Sequence, residues 1–315
     1  MKAKRIPIRN YMKMFSGGQI FVSGCNEILK KQNEYMKKLC KPSMRKYYIS
    51  GHSSVPVDLI LKLSEKNRKI IYECFKAARF ASRANAPHKL PKEISYDLAY
   101  IVGVLRDGSI TSHDYSLRIS QSGKFSREWL LKIRDIFKKE FGISGRISKY
   151  ENENRFEVKS KPLTLFIRNI FEMPLNQKYW NTPKIIKKNK ELWIPYVCGF
   201  FDAEGYCTSK KTFFKTGKAK IAFSQNNFDS LDFIKKVLSF YKINSSKVCF
   251  DKNKKCYSLY VQSKNDIINF SNIFKIVRKH SQLSELLTVI KDTKSGSFRN
   301  AYSAASSEAA GGVKH

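Results

Sequence analysis

Two stretches of this chain answer one another. Tyr100-Ile101-Val102-Gly103-Val104-Leu105-Arg106-Asp107-Gly108 returns as Tyr196-Val197-Cys198-Gly199-Phe200-Phe201-Asp202-Ala203-Glu204-Gly205. The correspondence continues in order. Leu117–Gln121 matches Ile221–Gln225, Trp129–Phe141 matches Leu231–Tyr241, and Val158–Lys161 matches Val261–Lys264. A repeat of this length implies two copies of one supersecondary unit, and it must be read before any single element. Each copy patterns as helix, two strands, helix, two strands, helix. The expected fold is α+β: two pseudo-symmetric αββαββα halves behind a small helical domain. The expected division is 1–88 for that domain, 92–175 for half 1, 176–190 for a linker, 191–294 for half 2 and 295–315 for a flexible tail.

The strands alternate β-branched or aromatic residues with polar ones, as in Lys218–Ser224 and Tyr257–Val261. One face of each sheet is then buried and the other polar and basic. Charge says what that face meets. Lys plus Arg is 60 against 26 for Asp plus Glu, a formal +34. Residues 1–90 already hold 20 basic and 5 acidic groups. A polyanion is the natural partner, since every neutralised phosphate releases a counterion. No 18-residue apolar span and no apolar segment behind the basic N-terminus suggests a membrane or secretory role. A cytoplasmic, nucleoid-associated protein is expected. The seven cysteines are scattered and lack a C-x-x-C pair, so neither a zinc site nor a disulfide framework is indicated.

The first 23 residues are basic and irregular, and read as an arm or a short strand. Helical spacing starts at Asn26, breaks at Lys41-Pro42-Ser43, and resumes from Pro56 to about Phe80. Short helices, tight turns and many cations resemble a helix-turn-helix DNA-binding module. Lys41–Ser50, with Arg45 and Lys46, is the segment expected to face DNA. Ala81–Pro91 reads as a linker. Between the halves, Thr182-Pro183 reads as a cap and first turn, and the lysines around it as a solvated face.

Trp193–Gly205 carries the chemistry. It is an apolar helix with small residues at Cys198, Gly199 and Ala203, Pro195 in its first turn and Gly205 just past its end. Glu204 sits at the negative end of the helix dipole, a placement that costs about 0.3–1 kcal/mol unless a cation offsets it. An acid in that place suggests a bound cation.

These residues resemble the single-chain, two-motif LAGLIDADG homing endonucleases, on Gly199–Gly205 and on the repeat, over roughly 95–291. The resemblance implies two motif helices packed side by side, with small residues at their crossing and one acid at the foot of each. Those acids are Asp107 and Glu204, the implied metal ligands and catalytic residues. Phosphodiester hydrolysis needs an in-line water, a charge clamp and a stabilised leaving oxygen, and divalent ions supply all three. Hard oxygen ligands and a phosphate substrate point to Mg²⁺. The family also implies a solvent-ordering polar residue per half, here Gln121 and Gln225, and a supporting cation, here Lys178 and Lys279. Arg118, Lys211, Lys218 and Lys220 join Arg45 and Lys46 as expected contacts to double-stranded DNA. The implied product is a double-strand break with short 3′ overhangs, made by a monomer.

Motif 1 departs from the pattern. Asp107 lies four positions after Gly103, whereas Glu204 lies five after Gly199. Anchored at Gly103, the acid is one residue, about 100° of helix, out of place. Anchored at Asp107, Arg106 occupies a position the family keeps small. A local adjustment of the last turn would restore the acid. The departure also admits a second reading, a cleavage-deficient DNA-binding regulator or an RNA maturase with intron RNA as partner. An intein is unattractive, because the chain starts Met1-Lys2 and ends Val313-Lys314-His315.

Overall fold

The computed structural model describes residues 6–7, 11–17, 19–67, 69–82, 85–123, 125–252 and 255–294. The tail expected at 295–315 lies outside the described residues. The chain divides into two compact units, 1–203 and 204–315.

The first unit opens with β1 (Ile6–Pro7), β2 (Phe21–Ser23), α1 (Asn26–Lys30), α2 (Asn33–Leu39), α3 (Pro42–Ser50), β3 (Val55–Pro56), α4 (Val57–Lys66), α5 (Lys69–Ala77), β4 (Arg79–Ser82), β5 (Asn85–His88) and β6 (Glu93–Ile94). The expectation of a small helical domain, with at most a short strand before residue 23, followed by a linker, is corrected here. A four-stranded sheet in the order β3-β2-β4-β5 runs through it, and the supposed linker supplies β5 and part of β4. Turn-forming residues hid these strands. Pro56 and Pro87 lie on β3 and β5, the two outer strands, where a missing N–H breaks no ladder. The break at Lys41-Pro42 falls where expected, with Pro42 as the first residue of α3.

This segment is not an appendage. Tyr11 is fully buried, and its ring meets Phe75 at 4.9 Å, Phe15 and Phe80 at 5.7 Å and Phe166 at 5.1 Å. Phe166 belongs to the last helix of the first repeat, so one aromatic core serves both parts.

The first repeat reads α6 (Tyr96–Val104), β7 (Gly108–Ile110), β8 (Ser116–Ser122), α7 (Ser126–Phe141), β9 (Arg146–Tyr150), β10 (Glu153–Lys159) and α8 (Lys161–Ile170). Its sheet is antiparallel in the order β7-β8-β10-β9. Ser95 caps α6 by accepting from the Leu98 N–H at 3.0 Å, and Ser160 caps α8 by accepting from Leu163 at 3.2 Å. The segment before the second motif holds α9 (Lys184–Lys188), whose N-cap position is Pro183 rather than the expected Thr182, with no side-chain cap. Then comes α10 (Trp193–Glu204).

α6 and α10 cross at backbone contact. A Cβ on Gly103 would stand 2.2 Å from the Tyr196 carbonyl oxygen, and one on Gly199 2.0 Å from that of Tyr100. Only glycine permits that approach at either place.

The second unit holds β11 (Gly205–Cys207), α11 (Lys210–Thr216), β12 (Ile221–Gln225), α12 (Phe228–Phe240), β13 (Cys249–Asp251), β14 (Cys256–Val261), α13 (Lys264–Ile273) and α14 (His280–Lys294). Its sheet runs β11-β12-β14-β13, the same order as in the first repeat. The difference is α11. Ser209 caps it through the Thr212 N–H, and Gly217 ends it at φ +62°. The strand expected from Lys218 therefore begins only at Ile221.

Candidate functional site

Each repeat builds a half-site at the same point of its sheet. In the first unit Asp107 immediately precedes Gly108, which opens β7 and pairs with Ile119. Two residues beyond Ile119 lies Gln121, whose Nε2 donates to Asp107 Oδ2. In the second unit Glu204 immediately precedes Gly205, which opens β11 and pairs with Phe223. Two residues beyond Phe223 lies Gln225, whose Nε2 donates to Glu204 Oε1 at 3.4 Å. Gln225 Oε1 accepts from the Asn226 N–H at 2.7 Å, which turns its amide nitrogen toward the acid. Both glutamines are buried, and both acids are partly open to solvent.

Motif 1 makes its adjustment in the last turn. α6 ends at Val104, and Leu105–Asp107 continue as a 3₁₀ helix. Five α steps turn about 500° and rise about 7.5 Å, whereas four give about 400° and 6 Å. One α step and three 3₁₀ steps give about 460° and 7.5 Å. The tighter turn restores the full rise and most of the rotation, so the missing residue costs Asp107 little of its position.

Arg106 pays for this turn by going inward. It is 1% exposed. Its Nη1 donates to the Asn181 carbonyl at 3.2 Å, and its guanidinium lies 5.9 Å from the Trp180 ring centroid. Gln177 Nε2 donates to the carbonyls of Arg106 at 2.7 Å and Gly108 at 3.2 Å. The segment expected to be a solvated linker thus packs onto the end of motif 1. Composition hid this, because Gln177 and Trp180 stand among lysines and turn residues.

Lys279 and Lys178 part company. Lys279 Nζ donates to the Gly205 carbonyl, beside Glu204. Lys178 is exposed, and its backbone N–H bonds Asn176 Oδ1. The side chain on the corresponding Gly108 carbonyl is that of Gln177.

The residues expected to meet DNA are distributed as follows. Arg45 is half-buried and Lys46 exposed, both on α3. Arg118 lies on the face of its sheet opposite the core, with Nε 2.6 Å from Glu157 and Nη2 3.1 Å from Asp114. Lys211 sits exposed on α11, Lys218 in the loop after it, and Lys220 holds its ammonium 5.1 Å from the Tyr260 ring centroid. Arg155, stacked 4.1 Å from the Tyr150 ring centroid, was missed on the same face as Arg118. Strand register would have found it, since Arg155 pairs with Ser120, two residues from Arg118.

The donor chemistry suits a hard cation. Each half offers one carboxylate backed by an amide. Among the described residues no group of three His, Cys, Asp or Glu side chains forms a cage. A hard divalent cation held by such a carboxylate would take its remaining ligands from water and other oxygen donors. No helix among the described residues is long and apolar enough to cross a membrane.

No family model matches the sequence. Homing endonuclease I-ApeI of Aeropyrum pernix is 33% identical over 155 residues, 45% of this chain and 65% of that protein. The match thus spans a little under two thirds of that relative. A segment of glutamine–fructose-6-phosphate aminotransferase of Methanocaldococcus jannaschii is 34% identical over 124 residues, 38% of this chain but 11% of that protein. Two solved structures are similar: I-DmoI in complex with DNA and Mn (18% identity, 57% of this chain, 96% of that one, TM-score 0.42) and the LAGLIDADG meganuclease I-AabMI bound to uncleaved DNA (16%, 62%, 91%, TM-score 0.43). The glycine-locked motif helices, the repeated acid and the likeness to I-ApeI agree on one resemblance, that of this chain to the LAGLIDADG homing endonucleases.

Proposed function

We propose that this protein is a site-specific, divalent-metal-dependent DNA endonuclease of the homing type. The observation that carries the reading is the matched pair of half-sites, Asp107 with Gln121 and Glu204 with Gln225, each set where a motif helix hands over to its sheet. Asp107 and Glu204 would hold Mg²⁺, which supplies charge neutralisation on the scissile phosphate and an activated water. The glutamines orient the carboxylates and leave their outer lone pairs for cation or solvent. Lys279 adds positive charge where the phosphate becomes more negative. The polar sheet faces and α3, used in helix-turn-helix fashion, supply the DNA contacts.

The 3₁₀ turn that ends motif 1 supports cleavage over the second reading, a cleavage-deficient DNA-binding regulator or an RNA maturase. The test is incubation of purified protein with Mg²⁺ and DNA carrying the uninterrupted version of the locus that encodes it. A double-strand cut with short 3′ overhangs is expected. Asp107→Asn and Glu204→Gln should each lower the rate at least about 10³-fold, within the range enzymes lose with a primary catalytic group, and leave binding intact. Tight binding with no cut in Mg²⁺ or Mn²⁺ sinks the proposal.

A further inference from the structure

The N-terminal module and the first repeat are joined without slack. Tyr11 of the module meets Phe166 of α8 at 5.1 Å. His88 of β5 is buried, and its Nε2 shares a 3.0 Å hydrogen bond with the Oγ of Ser160, the residue that caps α8. The stretch that leads from β5 to α6 is tied down as well. Lys92 Nζ donates to the Lys76 carbonyl, and Glu93 and Ile94 pair with Pro7 and Ile6.

On this fixed module α3 turns one continuous face outward. Ser43, Lys46, Tyr47 and Ser50 stand at i, i+3, i+4 and i+7, and all four are exposed. Tyr47 is 51% exposed, and Met44 beside it 41%. Of the nine residues of α3 only Tyr48 is buried, and none is acidic. Phosphates reward cations such as Arg45 and Lys46. A serine, a methionine and a tyrosine set outward among them suit base edges and thymine methyl groups.

We propose that α3 reads base pairs in a major-groove segment through Ser43, Met44 and Tyr47, at one fixed spacing from the sequence that the first repeat covers. The module then sets specificity as well as affinity. The proposal rests on the site-specific DNA reading above. A reader on a flexible tether adds effective concentration and tolerates many spacings. A reader anchored through Tyr11–Phe166 and His88–Ser160 tolerates one, as the half-site spacing of a rigid dimer is set by its geometry.

The experiment uses the full chain without Mg²⁺, so that binding is read apart from cutting, on duplex from the uninterrupted locus. Hydroxyl-radical footprints of wild type and of a Ser43→Ala, Met44→Ala, Tyr47→Ala variant should differ in one short segment, which marks where α3 lies. Base pairs of that segment are then changed singly. The best-read positions should weaken wild type about tenfold or more, within the range for a mismatched pair, and should leave the variant's affinity nearly unchanged. Five base pairs inserted between this segment and the rest of the footprint carry it about half a turn around the helix. Wild-type affinity should fall to that for DNA with the segment scrambled. Ten inserted pairs restore the phase but move the segment by about 34 Å, and should not recover the affinity. The insertions are read on wild type alone, so they decide the matter even if the variant folds poorly.

A segment whose sequence does not affect wild-type binding overturns the proposal, because α3 then meets backbone only. Indifference to five inserted pairs, or recovery at ten, overturns it too, because the module is then tethered. A folded variant with an unchanged footprint takes α3 off the DNA and has the same force. The absence of any sequence-specific footprint refutes the site-specific reading itself. A specific footprint without cutting on addition of Mg²⁺ refutes the nuclease and leaves the role of α3 to be decided by the insertions.

Discussion

The Tyr100 hydroxyl on α6 donates a 2.8 Å hydrogen bond to Asp202 Oδ2 on α10, and accepts one of 2.8 Å from Trp129 Nε1. Asp202 is fully buried. This chain of three side chains pins the two motif helices in register one turn from the glycine crossing. Tyr100→Phe removes the hydroxyl and leaves a buried carboxylate short of a donor, so it should destabilise by about 2–3 kcal/mol. Asp202→Asn in the same background should recover part of that loss. A double-mutant cycle by chemical denaturation checks it, with a coupling above about 1 kcal/mol expected for groups in direct contact.

Alkaline pH should weaken the fold. Burial first, and then the Asp202 carboxylate, push the Tyr100 hydroxyl well above its ordinary value of 10.0. Burial does the same to Tyr11. Below pH 10 both phenols are protonated in either state and the contribution is complete. Above pH 10 the unfolded chain releases protons that the folded chain retains, so unfolding gains and stability falls as pH rises. Melting temperatures between pH 8 and 11 should drop. A Tyr11→Phe, Tyr100→Phe variant should show a shallower drop.

Gly103→Ala and Gly199→Ala should each cost about 3 kcal/mol or more, at or beyond the usual range for overpacking. The obstruction is backbone on the opposite helix and has no rotamer to relieve it. Gly123, with nothing within 4 Å of a built Cβ, is the control for space, although its φ of +96° carries its own strain. Thermal melts of the three variants should rank the two crossing glycines well below Gly123→Ala.

Arg45→Ala with Lys46→Ala should weaken DNA binding and flatten its salt slope by nearly two units if both side chains meet phosphates. Point substitutions are the right tool here. Deleting residues 1–88 would strip Tyr11 from Phe166, together with the Phe75 and Phe80 rings packed on Tyr11, and would be expected to unfold the first repeat along with the module.

The repeat made most of the catalytic fold legible. Glycine, acid and strand recur at fixed spacings, and register did the rest, carrying Gln121 and Gln225 to their acids. Three things were not legible. β4 and β5 were masked by Ser82, Asn85 and Pro87, residues that mark turns unless a neighbouring strand claims them. α11 interrupted a stretch whose alternation suited a strand. Gln177 was not singled out, because charge is visible in a sequence and the direction of a 3₁₀ turn is not.

The crossing of α6 and α10 has a consequence beyond stability. Each glycine lies under a carbonyl of the opposite helix, so the seam there is made of main chain, and main chain carries no signature of the sequence around it. A motif helix borrowed from another two-motif protein would meet the same surface, provided that it brought its own glycine. The seam would behave as a standard coupling, with the Tyr100–Asp202 contact as the key that must be recut for each new pairing.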